Sequence, residues 1–145
     1  MTWLAWIATA AAGLFSGAAL YITLVEHPAR VGCGPMMAVA QFRLSYPRAA
    51  RLQAPLAALA ALAGIGTGVG GGGLAWLAAG LLLGAVVPYT LVGIMPTNER
   101  LLDRGLEPDT PEAERLLRRW GHLHLGRTAA SLVAFGWMLR LLLAR

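Results

Sequence analysis

The residues of this chain with chemistry to offer are few. They are Glu26, His27, His124 and Arg127, accompanied by His122, Asn98, Thr23, Tyr89 and Trp120. Imidazoles titrate near neutral pH, so His27 and His124 are candidate acid–base groups. With Glu26 as a third donor they also form a candidate ligand set for a transition metal such as copper or iron; the same side chains can act with no metal. Arg127 lies in an apolar run. A charge at membrane depth is expensive and normally faces a bundle interior with a partner. Glu26 is the acid able to approach from another span, so a Glu26–Arg127 pair is expected, the alternative being an arginine that snorkels to headgroups. The same groups can instead build a subsite for an anion or oxyanion.

Helical spacing sorts these candidates. Trp120, His124 and Arg127 stand at i, i+4 and i+7, on one face. His122 is about 200° round from His124 on a regular helix, which points it to a loop or solvent. Ser16, Thr23 and His27 share a stripe, while Glu26 sits about 100° from His27. Both can face one small site only if the helix loosens ahead of Pro28, which the restriction on the residue before proline allows. Haem, P-loop and dinucleotide signatures are missing. Cys33 is the lone cysteine, so no intrachain disulfide or thiolate zinc cluster can form.

The elements that must position these groups follow from composition. The 145 residues, one domain over 1–145, are 57% hydrophobic and 13% charged, against roughly 25% charged in a soluble domain. Apolar runs from Trp3 to Val25, Leu52 to Val69 and Leu74 to Met95 are long enough for a hydrocarbon core of about 30 Å. The first lacks a basic lead-in and reads as a permanent helix rather than a signal peptide. Gly13 and Gly17 are a small-residue pair that allows close helix approach. Residues 32–51 read as a connection with a short interfacial helix from Met36 to Leu44, and Gly70–Gly73 as a tight turn. Pro88 should kink the third span. Asp109-Thr110-Pro111-Glu112 is a helix start, and the last helix runs from Pro111 to Leu143, spanning from Gly121. The expected fold is an all-α, four-helix transmembrane bundle whose last helix extends into the cytoplasm.

Charge sets the orientation. All 12 basic residues are arginine and the formal net charge is +5. The arginines flank apolar runs with no aromatic–basic groove, so a nucleic-acid partner is not expected. Nine of them fall in the two loops that share one face. Only Arg140, Arg145 and the α-amine lie with the termini. The positive-inside rule then puts the loops in the cytoplasm and both termini outside, in a bacterial inner membrane as the arginine-rich, Ala/Gly/Leu-heavy composition suggests. Glu26, His27, Tyr89, Asn98, Trp120, His124 and Arg127 gather near that cytoplasmic face.

The blocks Glu26-His27-Pro28-Ala29-Arg30, Tyr46-Pro47-Arg48-Ala49-Ala50 with Gln53, Pro88-Tyr89-Thr90, Pro96-Thr97-Asn98, and Trp120 with Leu123-His124 and Arg127 resemble the anthrone-oxygenase-like family of small four-helix membrane proteins. The resemblance covers nearly the whole chain and implies an oxygenase-type oxidoreductase acting on a hydrophobic aromatic at the cytoplasmic interface. In fungal members anthrones become anthraquinones with dioxygen. Glu26, His27, Asn98, His124 and Arg127 are then the catalytic candidates, with Tyr89, Trp120 and Thr23 against substrate. His27 or His124 removes a proton, and Arg127 with Asn98 holds the enolate oxygen. The rival reading is a non-enzymatic carrier or assembly subunit, possible as a homo-oligomer, whose polar cluster locks the bundle.

Overall fold

The computed structural model describes residues 2–144, and among these every element is helical, with no strand. Arg145, counted with the termini above, lies outside them. Three stretches, Trp3–Gly32, Pro35–Gly72 and Leu74–Leu102, are long and apolar enough to cross a bilayer. The first comprises α1 (Thr2–Tyr21), a π-helical turn (Ile22–Glu26) and α2 (His27–Gly32). The second is α3 (Pro35–Thr67) and the third is α4 (Leu74–Tyr89), a π-helical turn (Thr90–Ile94) and α5 (Met95–Leu102). The fourth wall is α6 (Pro111–Leu143). It is equally long, but Arg127 and Arg140 lower its apolar character, and it turns the polar residues His124, Thr128 and Ser131 inward.

The helices close a ring in the order α1, α3, α4, α6. Large apolar side chains such as Leu14, Leu59, Leu62, Val92 and Val133 point outward, the pattern of a multi-pass integral membrane protein. Small residues set the spacing. A Cβ on Gly80 would stand 2.6 Å from the Ile65 backbone nitrogen, and one on Gly64 3.0 Å from the Gly80 Cα, so α3 and α4 meet backbone to backbone. Their connection turns at Gly71 and Gly73, with φ of 94° and 92°, values that only glycine adopts without strain.

The connection expected between residues 32 and 51 is instead helix. Gly34 turns the chain at φ 86°, Pro35 occupies the first turn, and α3 runs for 33 residues through Pro47 and Pro55. Each proline deletes one backbone bond without breaking the rod. Arg48 donates to the Leu44 carbonyl at 2.5 Å and Arg51 to that of Pro47 at 3.2 Å. The helix is about 50 Å long at 1.5 Å per residue, so its arginine-bearing turns extend beyond the hydrocarbon. There Arg43 gathers the carbonyls of Leu101, Asp103 and Leu106 at 3.2, 2.5 and 3.2 Å, satisfying the frayed end of α5. The Asp103 carboxyl beside it is held below the usual carboxylate range, first by the Gly105 N–H and then by Arg100. As the motif indicated, α6 starts at Thr110, whose hydroxyl accepts from the Ala113 N–H at 3.3 Å.

A π-helical turn begins two residues after Pro88, and Thr90 donates to the Val86 carbonyl at 2.7 Å. A π-turn also precedes Pro28 in the first stretch. Such turns add one residue to a helix and re-aim side chains, and they concentrate at functional sites.

Candidate functional site

The bundle holds two packed clusters. One, rich in alanine, includes Phe15, Trp76, Leu83 and Met138. The other, toward the arginine-rich end, includes Ile22, Phe42, Ile94 and Trp120. Between them lies a cavity of about 260 Å³. Its walls are mostly apolar, and Ala54 and Ala58 of α3 face Val87 and Leu91 across it. These four residues are also exposed, so the cavity opens between α3 and α4.

Its polar wall is assembled from three helices. Arg127 of α6 donates through Nη2 to Gln53 Oε1 of α3 at 2.7 Å and meets His124 Nε2 at 2.7 Å. A guanidinium only donates, so His124 Nε2 is the acceptor and the proton resides on Nδ1. Nδ1 faces the Thr23 hydroxyl at 2.9 Å, and Thr23 in turn donates to the Ala19 carbonyl at 3.0 Å. Thr128 Oγ1 stands 2.8 Å from Thr23 Oγ1. His124 is therefore locked as one neutral tautomer. The Phe15 ring lies 5.5 Å from the guanidinium carbon of Arg127.

A second chain runs from α6 to α3 through α5. Trp120 Nε1 donates to Asn98 Oδ1 at 2.7 Å, and Asn98 Nδ2 donates to the Tyr46 hydroxyl at 2.8 Å. Trp120 stacks on His124, with centroids 4.5 Å apart, and meets His27 at 5.0 Å. A Cβ on Gly121 would stand 2.6 Å from His27 Nε2, so glycine is what allows that ring to lie against α6.

The expected Glu26–Arg127 pair does not form. Glu26 pairs with Arg30, one turn on in its own helix, and Gln41 donates to the same carboxylate oxygen at 2.9 Å. Arg30 is buried and also donates to Ser45 at 3.3 Å, with its guanidinium carbon 5.4 Å from the Phe42 ring. The local i, i+4 geometry supplies Glu26 with a cation before any distant one can reach it.

Of the sequence candidates, Glu26, Asn98, Trp120, His124 and Arg127 line the cavity. His27 sits behind Trp120, Thr23 serves His124 from behind, and Tyr89 is on the outside, donating to the Leu123 carbonyl at 3.0 Å. His122 is exposed, as the spacing required. Among the described residues no three of His, Cys, Asp and Glu come close enough to hold a metal ion. The set Glu26, His27 and His124 does not fit one, because both His124 nitrogens are taken, one by a guanidinium, and Glu26 is engaged by Arg30. Residue-type reasoning missed Tyr46, Arg30 and Phe15. Tyr46, Arg30 and Gln53 stand in the blocks of the resemblance, and Gln53 lies seven residues after Tyr46 as Arg127 does after Trp120.

Fold and site together are those of a small multi-pass helical membrane protein with a cavity open between α3 and α4 and a half-buried cation at its polar wall. The chain matches the anthrone oxygenase family over residues 42–137 and belongs to it. The matched region carries Tyr46, Gln53, Asn98, Trp120, His124 and Arg127, while Glu26, His27 and Arg30 precede it. Comparison with curated protein sequences and with solved structures finds no match.

Proposed function

We propose that the protein is an oxygenase-type oxidoreductase that takes a flat, hydrophobic, enolisable or phenolic aromatic from the bilayer into the cavity. The observation that carries this reading is the lateral mouth between α3 and α4 leading to a polar wall built around Arg127. A lipid-soluble ring system enters without crossing water, and its oxygen meets the cation. Membership of the anthrone oxygenase family supports the reaction class.

For anthrone, loss of the ring-methylene proton leaves a delocalised oxyanion. That anion gives electrons to dioxygen, a carbon–oxygen bond forms, and loss of water yields the quinone. The balance is anthrone plus dioxygen to anthraquinone plus water. Arg127 holds the oxyanion. Tyr46 is the second donor: its oxygen accepts from Asn98, and its proton goes to the weak thioether acceptor Met95 Sδ at 3.8 Å, from which an oxyanion would draw it. Asn98, engaged at both ends, positions Tyr46 and Trp120. Glu26 is the carboxylate on the cavity wall and a candidate base; His124 becomes one when Arg127 turns Nη2 from its ring to the substrate. His27 supports Trp120 from behind.

The test is oxygen uptake by purified protein in mild detergent with anthrone, with quinone formation followed by absorbance. Uptake that exceeds the spontaneous rate and falls in Arg127→Gln and Tyr46→Phe supports the reading. No excess over protein-free micelles refutes it and favours a carrier or assembly subunit.

A further inference from the structure

We infer that the cavity binds its aromatic ligand as an anion, an ionised phenol or enol, with the Arg127 guanidinium as its counter-ion. The inference rests on the reading of the cavity as an aromatic-ligand site.

Few charges lie along the wall. Glu26, Arg30 and Arg127 are the residues there with formal charge. Glu26 and Arg30 neutralise each other. Arg127 is left over, and among the described residues it has no ion pair. Its Nη2 is hydrogen-bonded only to neutral acceptors, Gln53 Oε1 and His124 Nε2. Its Nε is buried and has no hydrogen-bond partner. An uncompensated cation in a low-dielectric surrounding is costly, and an anion brought to it gains more there than in water. A buried donor without an acceptor adds a second reason for a ligand oxygen.

The other ionisable groups facing Arg127 are Tyr46 from α3, Tyr89 from α4 and His124 on its own helix. Tyr89 gives its proton to the Leu123 carbonyl, and His124 is held as the neutral tautomer that accepts from the guanidinium. On α1 the Phe15 ring covers a face of the guanidinium and brings no charge. Tyr46 is the one internal group able to supply a negative charge. Its hydroxyl, however, accepts a single hydrogen bond from a side-chain amide, Asn98, and none from Arg127. A ligand oxyanion is the better partner, because it can meet the guanidinium and draw the Tyr46 proton from the weak acceptor Met95 Sδ together.

A hydroxyanthraquinone serves as probe, since 2-hydroxyanthraquinone is yellow as the acid and red as the anion. Limiting dye is titrated with pH in the presence of excess protein in mild detergent, and again in protein-free micelles. An opposite charge within a few ångströms favours the anion by about one to three pH units. The bound dye should redden that much earlier than dye in micelles. Arg127→Gln should bind the dye and lose the shift, and Arg127→Lys should keep part of it. Dye that stays outside the protein, dye that reddens at or above the micelle value, or a full shift in Arg127→Gln overturns the inference. If Arg127→Gln fails to fold, the wild-type titration alone decides. Red dye without oxygen uptake sinks the oxygenase reading and leaves this one; uptake with yellow bound dye does the reverse.

Discussion

Arg127 is bound to Gln53 rather than to Glu26, and a pair of double-mutant cycles separates the two. Removing Gln53 takes away an acceptor 2.7 Å from Nη2 inside a wall where water is scarce. A hydrogen bond to a charged group contributes about 1.5–3 kcal/mol in soluble proteins. Side-chain bonds measured inside membranes are weaker, averaging about 0.6 with a maximum near 1.7 kcal/mol, because the unfolded reference also finds partners. The charged donor puts this case at the upper end, so a coupling of about 1–2 kcal/mol is expected between Gln53→Ala and Arg127→Ala. Glu26→Ala and Arg127→Ala should be additive within about 0.5 kcal/mol, because the charge of Glu26 is neutralised by Arg30. The assay is reversible unfolding in mixed micelles, followed by tryptophan fluorescence, for each single and double variant. A Glu26–Arg127 coupling larger than the Gln53–Arg127 coupling would refute the network described here and restore the long-range ion pair.

Three further outcomes are expected. Gly80→Ala, whose Cβ would fall 2.6 Å from the Ile65 nitrogen, should lower stability by about 1–3 kcal/mol or more in the same unfolding assay, whereas Gly17→Ala meets nothing within 4 Å and should cost little. His124→Ala should abolish anthrone-dependent oxygen uptake, while the exposed His122→Ala leaves it nearly intact; the opposite ranking would remove the cavity from the chemistry. Cys33, exposed at the turn between α2 and α3, should resist an impermeant maleimide in intact cells and react after permeabilisation, as the arginine bias requires; ready labelling of intact cells would invert the orientation.

The bundle was legible because its signals are additive over many residues. Apolar runs, a glycine turn and a capped start each fix one element. The continuity of α3 is not legible, because Gly32, Gly34, Pro35 and Pro47 read as a connection and the arginines as loop charges, while in space Arg48 and Arg51 hold carbonyls along the same rod. In the site, helical angles separated His124 from His122 correctly, since that comparison lies within one regular helix. Angles failed for Glu26, whose expected partner, Arg127, gives way to Arg30. Arg30 is one turn away and reads in the sequence as a loop charge, yet it is buried against Phe42 and Trp120. Partners across helices depend on crossing depth, which periodicity does not encode.

The two helical hairpins carry one pattern twice, and the pattern explains why the site is lopsided. Thr23-Leu24-Val25 and Thr90-Leu91-Val92 each lie in a π-helical turn, with Pro28 and Pro96 beyond them. Thr23 and Thr90 each donate to the carbonyl four residues back, at 3.0 and 2.7 Å. Tyr46 and Gln53 on α3 answer Trp120 and Arg127 on α6 at the same seven-residue spacing. The answering residues join across the bundle, Arg127 directly to Gln53 and Trp120 to Tyr46 through Asn98. What differs between the halves is chemistry: a neutral amide on α3 where α6 has a cation, and Arg30 two residues after Pro28 where Asn98 stands two after Pro96. The first half pairs its cation with Glu26, and the second leaves Arg127 with neutral neighbours. A purely structural lock would gain from neutralising both. The unneutralised guanidinium faces the cavity whose mouth opens between α3 and α4, where a ligand from the bilayer can reach it.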